Sequence, residues 1–109
     1  MLRAMMPPIE THRKTLEQLC RSHQVERLYA FGSVLTDDFT AESDIDFLLT
    51  MPNNLEPLDK GEHILQLWSA LEELFERDID LLTDTGIHNP YLLKAINDTK
   101  RLVYEADER

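Results

Sequence analysis

Two short acidic patterns, Asp44-Ile45-Asp46 and Asp78-Ile79-Asp80, each open an apolar run, Phe47-Leu48-Leu49 in the first case and Leu81-Leu82 in the second. Runs of this kind read as strands, and in a strand residues two apart share a face. Asp44 and Asp46 therefore project together with Ile45 turned away, and Asp78 pairs with Asp80 in the same manner. Carboxylates stacked on adjacent strands repel, and without a cation some of them would take up protons. The chain must therefore fold so that one face of a sheet carries an acidic site. A divalent metal resolves the conflict, and Mg²⁺ favours a few carboxylates together with substrate phosphate oxygens.

Ten residues separate Gly32-Ser33 from Asp44, and the pair follows the apolar-rich, strand-like segment 25–31. A glycine where a strand turns allows an unusual dihedral and a close approach of the backbone to a ligand. Ser33 offers a hydroxyl and an amide. Val34 and Leu35 can start a short helix whose free N–H groups face an anion. A triphosphate fits between these donors and the metal-bearing strand.

The stretch FGSVLTDDFTAESDIDFLL resembles the Gly-Ser, ten-residue spacer, Asp-x-Asp signature of the minimal nucleotidyltransferases in the DNA polymerase β superfamily. DIDLLT and NPYLLKAINDTKRLVYEA resemble the later part of that family, so the similarity spans residues 25–105. The resemblance implies a polymerase β-like nucleotidyltransferase fold and transfer of a nucleotide, AMP from ATP, with two Mg²⁺ ions. It makes Gly32 and Ser33 the phosphate-cradling turn and Asp44 and Asp46 the paired metal ligands. Asp80 becomes the third carboxylate, which helps activate the acceptor hydroxyl; Asp78 has no counterpart. Many members carry an arginine after the Gly-Ser where this chain has Val34, and Arg27, Lys60, Arg77 or Lys94 are the candidates to replace it. The resemblance further implies the antitoxin half of a toxin-antitoxin pair, which inactivates a helical HEPN ribonuclease by adding AMP to a tyrosine. Two other classes remain open: a degenerate antitoxin acting by contact, and a nucleotidyltransferase for aminoglycoside-like hydroxyls whose pocket a second subunit completes.

The 109 residues suit one domain, 1–109, able to bury about two-thirds of the surface its unfolded chain exposes. With 42% hydrophobic and 29% charged residues, the composition is that of a soluble protein, without an apolar run of the ~18 residues a membrane span needs. Met1 to Pro8 is too short and interrupted for a signal core, which points to the cytoplasm. Eleven Lys and Arg stand against 21 Asp and Glu, and the net charge of −10 argues against nucleic acid as the main ligand and favours a basic protein partner. A single cysteine, Cys20, rules out an intramolecular disulfide and a thiolate zinc cage, and it reads as a small buried residue.

Apolar spacing predicts an amphipathic helix over 9–23 after Pro7-Pro8, then a strand at 25–31 and a turn, short helix and polar loop over 32–43. A strand over 44–51 follows, then a turn through Pro57 and the longest helix over 58–76. The third strand spans 78–83 and a loop 84–89, and Asn89-Pro90 caps a short helix reaching 98. Residues 101–104 form a last strand or extended tail, and 105–109 fray. The sum is an α/β fold with a small mixed sheet flanked by helices. Asp37, Asp38 and Glu42 read as solvated loop charges, the four histidines as surface residues, and Trp68, Tyr29 and Tyr104 as packing. Tyr91 is a candidate pocket residue.

Overall fold

In the computed structural model, residues 7–106 are described. Helices α1 (Pro7–Thr11) and α2 (Arg13–Ser22) lead into strand β1 (Arg27–Phe31). A single tight helical turn, Gly32–Leu35, and a polar loop then reach β2 (Ile45–Thr50). Helix α3 (Pro57–Phe75), β3 (Ile79–Thr83), a second short turn (Asp84–Gly86), α4 (Pro90–Thr99) and β4 (Arg101–Glu105) complete the fold.

The sheet order is β3-β2-β1-β4; β1 runs antiparallel to β2 and β4, while β2 and β3 are parallel. A parallel neighbour requires a crossover, and α3 supplies it. Alternation then sorts the side chains. Leu28, Ala30, Ile45, Phe47, Leu49, Ile79 and Leu81 join one core cluster with Leu16 and Cys20 of α2 and Leu67, Leu71 and Phe75 of α3. The opposite face presents Tyr29, Phe31, Asp46, Leu48 and Asp80, each offset by an odd number of positions from those core residues. Leu48 is buried yet stands apart from the core cluster, because α4 lies over that end of the open face.

The expected helix over 9–23 is divided at His12, whose φ of −108° and ψ of 18° leave the helical region. The break lets Ile9 enter the core completely while Arg13 turns back to bond both Glu10 and the Val103 carbonyl. The histidines also depart from the surface reading. His12, His23 and His63 are half-buried, with His12 packed edge-on against Phe75 and His23 Nδ1 3.1 Å from His63 Nδ1. Burial, and then the neighbouring His63 charge, depress the His23 pKa. Trp68, expected in the core, is half-buried and donates its indole N–H to the Ile79 carbonyl at 2.7 Å, tying α3 to the start of β3.

Asn89 caps α4 as expected, its side chain accepting from the amides of Tyr91 and Leu92. Residues 101–105 form a true edge strand, and Ala106 continues its pairing by donating to the Glu26 carbonyl at 2.9 Å, so fraying does not begin at Glu105. The remainder of that expected frayed end, 107–109, lies outside the described residues, as do residues 1–6 of the leader reading. Among the described residues no helix is long and apolar enough to cross a membrane.

Candidate active site

The acidic site forms where three strand ends meet. Phe31, the last residue of β1, pairs with Asp46, and Asp46 stands opposite Asp80 on the parallel β2–β3 pair. Neighbouring strands lie ~4.8 Å apart, so the two carboxyls project from adjacent positions on one face. Asp46 is half-buried and Asp80 exposed. Burial raises the Asp46 pKa most, and the charge of Asp80, a hydrogen bond with Asp80 and the charge of Asp44 raise it further, to about 6. Asp44 is exposed just before β2, close enough for its charge to act on Asp46.

Gly32 closes the site from above. Its φ is +80°, and a Cβ placed there would collide with Asp46 Oδ2. Glycine is required on both counts: the left-handed backbone and the direct approach of the turn to the carboxylate. Ser33, half-buried, follows in the same turn, where its carbonyl accepts from the amide and hydroxyl of Thr36, each at 2.9 Å.

Arg77 fixes the loop that delivers Asp44. Its Nη1 donates to the carbonyls of Thr40 at 3.1 Å and Ser43 at 2.8 Å, and its guanidinium lies 4.6 Å from the Phe39 ring centroid. The Ile45 amide bonds the Asp78 carbonyl at 3.2 Å, so the backbone of Asp78 serves the register between the two acidic patterns. Of the four cations weighed as substitutes for an arginine after Gly32-Ser33, Arg77 is thus engaged in holding this loop. Lys94 pairs with Asp98 on the exposed side of α4, and Lys60 lines a small recess with Met51 and Asn53. Val34 is wholly buried in the core, so its side chain serves packing.

Arg27 lines a cleft of about 370 Å³ between the open sheet face and α4, together with Tyr29, Leu48, Leu93, Asn97 and Lys100. Lys100 Nζ sits 4.0 Å from the Tyr29 ring centroid, and Thr50 Oγ1 donates to Asp84 Oδ2 at 3.1 Å on the cleft wall. Tyr29 is therefore a cleft residue as well as a packing one. Tyr91, the pocket candidate, is 84% exposed and does not line it. Period-two alternation back from Phe31 marks Tyr29 and Arg27 as neighbours of this face. Nothing in the sequence placed Asn97 and Lys100 there, because that depends on how α4 folds back.

Among the described residues no three ligating side chains are already gathered into a metal cage. The donor chemistry nevertheless fits a hard divalent cation: only carboxylate oxygens converge, and the crowding that raises Asp46 is what such a cation would relieve.

A mixed sheet carrying carboxylates on adjacent strands beside a glycine turn defines a nucleotidyltransferase of the polymerase β type. The chain belongs to this family, its residues 14–109 matching the family described as Polymerase beta, Nucleotidyltransferase. A Methanocaldococcus jannaschii relative, provisionally named a protein adenylyltransferase, is 34% identical over 89 residues, covering 82% of this chain and 87% of the relative. A solved structure provisionally named a minimal nucleotidyltransferase superposes with a TM-score of 0.66 at 24% identity, covering 88% of this chain and 93% of that one. A chain from the Shewanella oneidensis complex of a tri-AMPylated HEPN toxin with an MNT antitoxin superposes with a TM-score of 0.57 at 20% identity, covering 89% and 72%. These structural likenesses establish the fold.

Proposed function

We propose that the protein is a Mg²⁺-dependent adenylyltransferase that moves AMP from ATP to a tyrosine hydroxyl of a HEPN-type partner. The observation that carries this reading is the Asp46–Asp80 pair, set face to face across β2–β3 and covered by the Gly32 backbone. In this reading Gly32 and Ser33 hold the terminal phosphates of ATP by backbone amides and the serine hydroxyl. Asp44, Asp46 and Asp80 hold Mg²⁺, which when bound supplies charge neutralisation around the α-phosphate. Asp80 orients the incoming hydroxyl and takes its proton. The hydroxyl oxygen forms a bond to the α-phosphorus, the bond from that phosphorus to the bridging oxygen breaks, and its electron pair leaves with pyrophosphate. The remaining contribution of the chain is positioning.

A HEPN partner is supported by the tri-AMPylated toxin found in complex with an MNT antitoxin, and by the −10 charge, which suits a basic partner. ATP as donor suits a cytoplasmic site of action. The contact-only antitoxin remains the rival class, because the buried Val34 leaves no arginine directly after Gly32-Ser33, and AMP transfer separates the two. The test is to incubate the protein with α-labelled ATP, Mg²⁺ and the product of an adjacent HEPN-like reading frame. A partner mass increased by one or more AMP units, and unchanged with Asp44→Asn, is expected; equal transfer by that variant would refute the site.

A further inference from the structure

We infer that the cleft between α4 and the sheet seats the acceptor segment of the protein substrate and selects one carrying a carboxylate beside its acceptor hydroxyl. The inference rests on the proposed nucleotidyl transfer and adds where the acceptor enters and what is read in it. Phe31 pairs with Asp46 and β1 runs antiparallel to β2, so Gly32-Ser33 lies beyond the Asp46 end of β2. Leu48 and Thr50, which line the cleft, lie on the other side of Asp46 along the same strand, about 7 and 14 Å away. An in-line displacement brings the nucleophile to the side of the phosphorus opposite the leaving group. With pyrophosphate leaving toward Gly32-Ser33, the hydroxyl enters from the cleft.

The lining matches a peptide side chain better than a second phosphate group. Leu48 and Leu93 offer an apolar floor for an aromatic ring beside Tyr29, whose own ring carries Lys100, and Asn97 offers its side-chain N–H groups to the peptide backbone. A volume of about 370 Å³ accommodates one such ring and its immediate neighbour. The chain has only 11 Lys and Arg, yet two of them, Arg27 and Lys100, border this cleft. Arg27 already pairs with Glu26 at 3.2 Å and with Glu105 at 3.9 Å. Lys100 gives one hydrogen bond, to Asn97 Oδ1 at 2.7 Å, and rests 4.0 Å from the Tyr29 ring centroid, so of the three donors of its ammonium one remains for an incoming carboxylate. Asp84 on the opposite wall is bonded by Thr50 and repels a carboxylate, so the acidic neighbour of the acceptor is directed to Lys100.

The test uses two amino-terminally fluorescein-labelled peptides, Gly-Gly-Tyr-Glu-Gly-amide and Gly-Gly-Tyr-Lys-Gly-amide, and the full chain with Mg²⁺ and a non-hydrolysable ATP analogue. Fluorescence anisotropy at low salt should show the wild type binding the glutamate peptide at least about fivefold more tightly, as one added charge-assisted contact allows. Lys100→Glu should reverse that preference and Lys100→Gln should abolish it, while the affinity for the ATP analogue changes less than about twofold. A preference unmoved by Lys100→Glu, or failure of both peptides to bind, overturns the inference. An ATP analogue weakened about tenfold with no change in peptide preference also overturns it, by placing the nucleotide in the cleft. AMP transfer to the same peptides is read by mass. Charge-dependent binding without transfer counts against the enzymatic reading and leaves the acceptor site standing.

Discussion

Asp46 and Asp80 face each other across the parallel β2–β3 pair, and their shared hydrogen bond and mutual repulsion add to burial in holding Asp46 at a pKa of about 6. The folded protein without metal therefore keeps a proton that the unfolded chain, with Asp46 at its ordinary value of 3.8, releases earlier. Between these two values the folded state binds more protons, so stability contributed by this group falls as pH rises through the window.

Asp46→Asn removes that pH-dependent loss. In chelating buffer the variant should gain on the order of 1–2 kcal/mol over wild type at pH 7.5, after allowance for solvent screening, and little at pH 4. Urea unfolding at the two pH values measures the difference. An identical gain at both would refute charge crowding as its cause. The same variant should lose AMP transfer.

The contrast between two glycines separates site from scaffold. Gly32→Ala places a methyl against the Asp46 carboxylate at a left-handed φ and should cost about 2 kcal/mol or more, with transfer falling roughly 100-fold. Gly61 lies in α3 with open space around it, so Gly61→Ala should stabilise by about 0.5–1 kcal/mol and leave transfer unchanged. Thermal unfolding with a transfer assay of both variants checks this; equal losses would show that the Gly32 turn has no special role.

Much of this was legible before folding because strand alternation is a local property. The Asn89-Pro90 cap and the burial of Cys20 follow from spacing alone, whereas the strand expected from Asp44 begins at Ile45 and leaves Asp44 on the preceding loop. The pairing of Asp46 with Asp80 needed the sheet order, which the crossover through α3 decides. The fate of Arg77 was hidden for the same reason: its partners, Thr40 and Ser43, are more than thirty residues away in the chain. The division at His12 is invisible in the spacing, because Ile9 and Leu16 lie seven residues apart on one helical face, and only the burial of Ile9 shows why the helix turns.

Helix α3 ends on Glu76, which adopts a left-handed conformation with φ of 55° and donates its amide to the Glu72 carbonyl. A non-glycine residue there carries strain, and an acidic side chain also opposes the negative end of the helix dipole. Glu76→Gly should therefore stabilise the protein by about 1 kcal/mol, and Glu76→Ala by less, since it relieves only the charge. Denaturant midpoints rank the three proteins. An alanine variant as stable as the glycine one would assign the effect to charge alone.

Arg77 holds the carbonyls of Thr40 and Ser43 without reaching the carboxylates, so its removal should separate loop order from folding. Arg77→Met keeps the aliphatic stem against Phe39 and gives up both hydrogen bonds. The bonds lie near the surface, where water can replace them, so the stability cost should be about 1 kcal/mol. Asp44, which follows Ser43 directly, should lose its fixed position, and transfer should fall about tenfold or more at saturating ATP. Arg77→Lys, with one mobile ammonium in place of a planar guanidinium, should recover only part of that rate. Initial rates at saturating Mg²⁺ and ATP, set beside unfolding midpoints, provide the measurement. A rate that falls only in proportion to the folded fraction would make Arg77 a stabilising residue with no part in placing Asp44.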